Sequence, residues 1–470
     1  MISDSQLAKK LYYEHEDYIE TKLVNRRFKH SDIIPLINKL KNNNKFKVIK
    51  AGTSTENRDI FLISFGSGKT KIFLWSQMHG DEATATMAIF DILNFLSSKN
   101  DFAELINEIE KKLTIYFMPM LNPDGAEIFQ RRNALGIDIN RDAASLQSEE
   151  AKILMKYLKE LKANFGFNLH DQSTRYSVGK TFKPVTISFL APPYDKKGKM
   201  NAVRNDAAKL ISKLYKLLSE FIPGHIAKYS DEYEPRAFGD FSQKSGTSTI
   251  LLESGGWKND PEKQFIRKLN FIALLCSFKS IAEKSYRSEK VSIYDSIPEN
   301  REFLRDVIFR NISIIRSGKK YLIDLSVNLE EVNTRDSKGF YYTSLIEDIG
   351  DLSALFGYED HDFKGLTVEY GKSYTEKSFT EEELLCLDFS QFYKKGFTNV
   401  LIKGSESREF SKYAINLVKN GAIQTPNEIS INSPANLIFR EKTEVKYAVI
   451  NGFLYSIDNF SGEIKNGIVY

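Results

Sequence analysis

Apolar and polar positions alternate in two different rhythms along this chain. Near the start, Ile33, Ile34, Leu36, Ile37 and Leu40 recur at helical spacing within a charged, helix-like stretch of about 45 residues. Residues 46–66 then hold two apolar runs around a Gly/Ser/Thr/Asn turn, the pattern of a β-hairpin. Short continuous apolar runs at 71–77 and 113–121 read as buried strands, with a helix at 83–96 between them. The grammar repeats: helix at 148–162, strand at 165–169, helix at 201–220, strand at 248–254 and a closing helix over 261–285. Strand and helix in alternation predict an α/β domain over residues 1–288.

Past Ile297-Pro298-Glu299-Asn300 the rhythm changes. Residues 308–329 alternate apolar and polar around a Gly-Lys-Lys turn, and later runs such as Phe397–Lys403 and Lys446–Ile457 behave alike. This predicts a smaller β-rich accessory domain over 289–470 with one or two helices, for example at 409–421. It carries no motif that converts into chemistry, no clear internal repeat and no low-complexity tract.

Composition narrows the classes. A chain of 470 residues is long enough for two or three domains. Hydrophobic residues at 41% and charged residues at 27% exclude a disordered chain or a coiled-coil rod. Lys and Arg number 66 against 62 Asp and Glu, a balance that argues against a nucleic-acid partner. Cys276 and Cys386 are too few for a disulfide framework or a cysteine-rich metal site. The first residues lack an apolar leader core, and runs such as Phe271–Cys276 fall short of the ~18–20 residues that cross a bilayer. The expectation is a cytoplasmic protein without a membrane partner.

Six histidines make the search for a metal or catalytic imidazole short: His15, His30, His79, His170, His225 and His361. Met78-His79-Gly80-Asp81-Glu82 follows one strand and opens a helix, where α/β sheets place ligands. A lone His-x-x-Glu is common by chance. Here, however, a second histidine, His170, follows the strand at 165–169, and zinc accepts imidazole nitrogen together with carboxylate oxygen. Asn122-Pro123-Asp124-Gly125 is by itself a turn. Arg131, Arg132 and Arg141 flank a glycine-bearing turn, and guanidinium forks suit carboxylates and oxyanions. Glu253 ends an apolar strand before Ser254-Gly255-Gly256, which leaves it either structural or a placed acid/base.

In order along residues 1–285, Gly52–Ile60, His79-x-x-Glu82, Asn122–Gly125, Gly136–Arg141, His170 and Glu253 together resemble the zinc metallocarboxypeptidases of the carboxypeptidase A/B type. The resemblance implies a mixed central sheet flanked by helices and one zinc per chain, held by His79, Glu82 and His170. It implies Glu253 as general base toward the attacking water and as acid toward the leaving amine. Arg132 would polarise the scissile carbonyl, with its neighbour Arg131 as the other choice. Asn140 and Arg141 would grip a terminal carboxylate, and Tyr233, ahead of Tyr229 by spacing, would be the substrate-facing tyrosine. Asp171-Gln172 stands where the family often has an aromatic or Ser-Tyr pair, so that wall of the site differs. The implied substrate is a peptide or small amide with a free carboxylate. Deacylases of N-acyl amino acids and cell-wall peptide amidases share the zinc chemistry. A zinc-free protein that holds peptide carboxyl ends is the non-enzymatic alternative.

Overall fold

A computed structural model describes residues 3–404, 408–419, 428–458 and 465–470. The chain divides into two compact units, Met1–Glu302 and Phe303–Tyr470. The first runs past the expected boundary at 288, because the segment after it packs back. The Tyr294 hydroxyl accepts from the Ala191 amide at 3.2 Å, and Asn300–Arg301 pairs with Ser177–Val178.

The first unit opens with α1 (Asp4–Glu14) and α2 (His30–Lys41), then the hairpin β1 (Phe46–Thr53) and β2 (Asp59–Phe65). β3 (Thr70–Ser76), α3 (Thr84–Ser97), α4 (Ala103–Lys112), β4 (Leu113–Met118), α5 (Pro123–Glu127), α6 (Glu149–Leu161) and β5 (Phe165–Asp171) follow. β6 (Ser177–Val178), β7 (Ile187–Leu190), α7 (Ala202–Leu218), β8 (Ile226–Lys228), α8 (Phe238–Lys244), β9 (Ser248–Ser254), α9 (Gln264–Glu283), α10 (Val291–Ser296) and β10 (Asn300–Arg301) complete it.

Among the described residues the main sheet has eight strands in the order β1-β2-β4-β3-β5-β9-β7-β8. Its centre is parallel, β4 to β3 to β5 to β9, while β1-β2, β2-β4 and β9-β7 are antiparallel. The mixed sheet is thus as expected, and its parallel centre decides where the site lies. Parallel strands end at the same edge, so the carboxyl ends of β3, β5 and β9 come together. These strands are buried along their length, which is why they read as continuous apolar runs. α3 and α9 pack on one face through Ile89, Phe95, Phe271 and Phe278, all fully buried. α6 covers the other with Leu154 and Tyr157 against Phe73 and Trp75.

The second unit is built on a sheet begun by Leu304–Arg316, Lys319–Asn333 and Phe340–Gly350, with a core around Phe309, Phe363 and Phe439. A smaller parallel sheet joins Lys372–Phe379, Phe397–Ile402 and Asn416–Val418. The helix expected at 409–421 is not formed over its described part, which holds strands Phe410–Ser411 and Asn416–Val418; residues 420 and 421 lie outside the described residues. Asn416 is fully buried and its amide donates to Asn399 and Asn436 from neighbouring segments. These tertiary bonds override a helical period that only local sequence suggests. Among the described residues, the helices of this unit are Glu381–Leu385 and Phe389–Lys394 instead.

Candidate metal centre and its cleft

The turn after β3 is shaped by close contact. A Cβ on Gly80 would come within 2.1 Å of the Gly125 backbone, so only glycine lets this turn seat against α5. Gln77, with φ 50°, bends the chain out of the strand, and its side chain donates to the Gly80 carbonyl at 2.9 Å. The Asn-Pro-Asp-Gly and Gly-Thr-Ser-Thr-Glu-Asn-Arg motifs turn out to be one scaffold. Asp124 accepts from Ser54 Oγ at 2.7 Å, the Glu56 amide at 2.9 Å and Arg58 Nη1 at 2.7 Å. Asn122 caps α5 and donates to the Arg131 carbonyl at 3.3 Å, which fixes where Arg131 leaves the loop.

His79, Glu82 and His170 converge at the ends of β3 and β5. Among the described residues they form a buried group whose potential ligand atoms all lie within 4.8 Å of one another. His79 Nδ1 lies 2.7 Å from Glu82 Oε1, and His170 Nδ1 lies 2.7 Å from Glu82 Oε2. His79 Nε2 faces Asp138 Oδ1 at 3.1 Å. A carboxylate on the far nitrogen fixes the tautomer and leaves Nδ1 as the donor toward an ion. Two imidazoles and one carboxylate are a three-ligand set that suits a catalytic zinc. Asp138 is not among the site residues expected from the sequence; its one signal there is its place two residues before Asn140 in the loop that shapes the cleft.

The charges are strongly coupled. Burial works to raise the Glu82 pKa, but His79 and His170 outweigh it and hold the carboxyl well below its ordinary range. Burial opposes a charged His79, yet Glu82 and Asp138 together keep its pKa above the ordinary value. Burial lowers that of His170. Glu253 is buried on β9 directly opposite His170 in register. Burial, then the carboxylates of Glu82 and Asp171, push its pKa well above normal.

One cavity of about 160 Å³ is lined by the whole group: His79, Glu82 and His170, then Arg131, Asn140, Arg141 and Glu253. Two expected residues are not among its walls. Both side chains are exposed, but Arg132 donates to the Gly136 carbonyl at 3.0 Å, whereas Arg131 reaches Glu82 Oε1 at 3.2 Å and Asp138 Oδ2 at 3.1 Å. Successive side chains on this loop diverge, and Arg131 is the one that the capped turn aims inward. Tyr233 likewise does not line the cavity; Tyr229 does, its backbone held by the Phe189 carbonyl at 2.9 Å. Asn140 accepts the Phe238 amide at 3.0 Å, and its amino group lies 3.5 Å from His170 Nε2. The Arg141 guanidinium is partly exposed and sits 3.6 Å from Glu234.

Asp240, on α8, also lines the cavity, and burial pushes its pKa from 3.8 up to about 7. A folded pKa above the unfolded one means the native state holds the proton more tightly. Stability therefore falls as pH rises from about 4 to about 7 and levels off above that. Asp240→Asn keeps the acceptor for the Glu234 amide and removes the ionisation. Its unfolding free energy, from denaturant titrations, should gain on the wild type across that window by up to about a few kcal/mol. A constant difference from acid to neutral pH would show that Asp240 ionises freely.

Among known proteins, the zinc carboxypeptidase family model matches residues 33–231. Over those residues the chain is similar to the zinc carboxypeptidases. "Probable carboxypeptidase 2" of Trichophyton verrucosum is 30% identical over 118 residues, 25% of this chain and 21% of that protein. "Carboxypeptidase SOL1" of Arabidopsis thaliana is 28% identical over 103 residues, 20% of this chain and 21% of that protein. The aligned parts thus span about a fifth of these relatives' length. A metallo-carboxypeptidase from Burkholderia cenocepacia aligns with 55% of this chain and 70% of its own, at 14% identity and a TM-score of 0.45. The family match holds His79, Glu82, Arg131, Asn140, Arg141 and His170 but ends before Glu253. Placing Glu253 beside them rests on β9 pairing with β5.

Proposed function

We propose that the first unit is a zinc-dependent exopeptidase that hydrolyses the amide bond next to a free C-terminal carboxylate. The observation that carries this reading is convergence: a three-ligand group, two arginines, an amide donor and a buried carboxylate face one small cavity. His79, Glu82 and His170 would hold the zinc, which when bound supplies a Lewis acid that activates water near neutral pH and polarises a carbonyl.

The chain's own residues do the rest. Glu253 takes a proton from the attacking water and delivers it to the leaving amine nitrogen. Its burial favours the protonated form, which readies it for the second transfer. Arg131 directs its guanidinium to where negative charge grows on the former carbonyl oxygen. Arg141 and the Asn140 amide receive the substrate's terminal carboxylate. Arg141 then shares its charge between Glu234 and the substrate, which keeps an unoccupied cleft from holding a bare cation.

The test compares a free-acid peptide with its C-terminal amide. Losing a charged hydrogen-bond partner costs ~1.5–3 kcal/mol, a rate ratio of roughly 10- to 150-fold. The acid should be cut faster by that factor, and Arg141→Ala should erase most of the difference. Equal rates on both peptides would end the exopeptidase reading. Faster release of an acyl group from N-acyl amino acids would move the activity to the deacylase branch of the same chemistry.

A further inference from the structure

Four chain segments carry the proposed chemistry, and a residue outside all four ties several of them together. Lys263 precedes α9 with a left-handed backbone, φ 52°, and is 5% exposed. A side-chain-bearing residue held in that region is locked by its surroundings. Its Nζ donates to Asp171 Oδ2 at 3.2 Å and to the Ser254 carbonyl at 3.0 Å. Asp171 follows His170, and Ser254 follows Glu253; the two are paired across β5 and β9. Asp171 Oδ2 also accepts from Thr84 Oγ1 at 2.6 Å, and the Asp171 amide donates to Glu82 Oε2 at 3.2 Å. The Ser254 carbonyl also receives the Gln172 amide at 2.9 Å.

The anchor is itself fixed. The Arg267 amide donates to the Lys263 carbonyl at 2.8 Å, and the fully buried Arg267 guanidinium forks onto Asp91 of α3. The residue before α9 thus presents one ammonium, from a rigid base, to the residues next to His170 and Glu253, and Asp171 carries the link on to Thr84 at the start of α3. Burying an ammonium is costly, and an apolar contact would join the same elements without that cost. What the ammonium adds is direction: two aimed bonds at the junction of the metal group and the carboxylate.

We infer that Lys263 is a positioning residue: through Asp171 and Ser254 it sets how Glu82, His170 and Glu253 stand relative to one another. This rests on the metal-centre reading above. Partners that orient ligands in this way change metal affinity or activity by 10- to 100-fold when removed.

The test uses the full chain and two variants, Lys263→Met and the double variant Asp171→Asn with Lys263→Met. The single variant leaves a buried carboxylate without its cation and can fail to fold; the double variant removes both charges. Zinc affinity is read by competition with a chromophoric chelator, alongside the melting temperature of the metal-free protein and the kcat and KM for a free-acid peptide. Zinc binding should weaken at least tenfold in the double variant while the metal-free melting temperature stays near that of the wild type. kcat should fall at least tenfold at saturating zinc with KM within about threefold. Zinc affinity and kcat both within twofold of the wild type would overturn the inference and leave the pair a packing feature. A wild-type chain that binds no zinc would bring down the metal-centre reading itself, and the inference with it.

Discussion

Glu253→Gln should retain zinc and lose turnover by about 10²- to 10⁴-fold, the range a positioned proton-transfer group contributes. The substitution keeps the shape of the side chain on β9 opposite His170, so the metal group should be undisturbed. What it removes is the ability to accept and return a proton. Glu253 suits that task because it is buried at a strand end, where Glu82 and Asp171 add to the effect of burial in favouring its protonated form. Metal content and kcat are measured on the same preparation. A variant with full zinc and more than a tenth of wild-type activity would make Glu253 structural and place the base elsewhere.

The second large effect separates two adjacent arginines. Arg131→Met should lower kcat by about 10²- to 10³-fold, as the loss of one donor aimed at a developing oxyanion does. Arg132→Met should stay within about twofold, since that side chain does not line the cavity and its guanidinium is bonded to the Gly136 carbonyl. Arg131 also touches Glu82 and Asp138, so zinc content is checked alongside. The reverse ranking, with Arg132 the costly loss, would mean that the loop at 131–137 rearranges when substrate enters.

The sequence carried most of the first unit because its central strands are buried on both faces and its main helices, such as α6 and α7, are long and periodic. β3, β5 and β9 begin and end within a residue or two of their apolar runs. His79, Glu82 and His170 were legible because each lies at or just past such a strand end. What sequence did not carry was direction through space. Arg131 and Arg132 are equivalent in composition, and only their partners in space, Glu82 and Asp138 for one and the Gly136 carbonyl for the other, tell them apart. Tyr229 and Tyr233 lie in an irregular loop between β8 and α8, where no period says which ring turns inward. Asp138, Asp171 and Lys263 matter through partners tens of residues away, such as Asp138 with His79 and Lys263 with Asp171. The short strands β7 and β8 carry few residues each, too few for a pattern to stand out.

A zinc held by His79, Glu82 and His170 should make this cleft a peptidase for free carboxyl ends. The most direct measurement titrates metal-free protein with zinc while following release of the C-terminal residue from a free-acid peptide, with His170→Ala in parallel. The account predicts that release rises from background to a plateau at one zinc per chain and that His170→Ala shows neither tight binding nor release. Release that persists in excess chelator, or full zinc occupancy with no release from any peptide of a varied C-terminal panel, would contradict it.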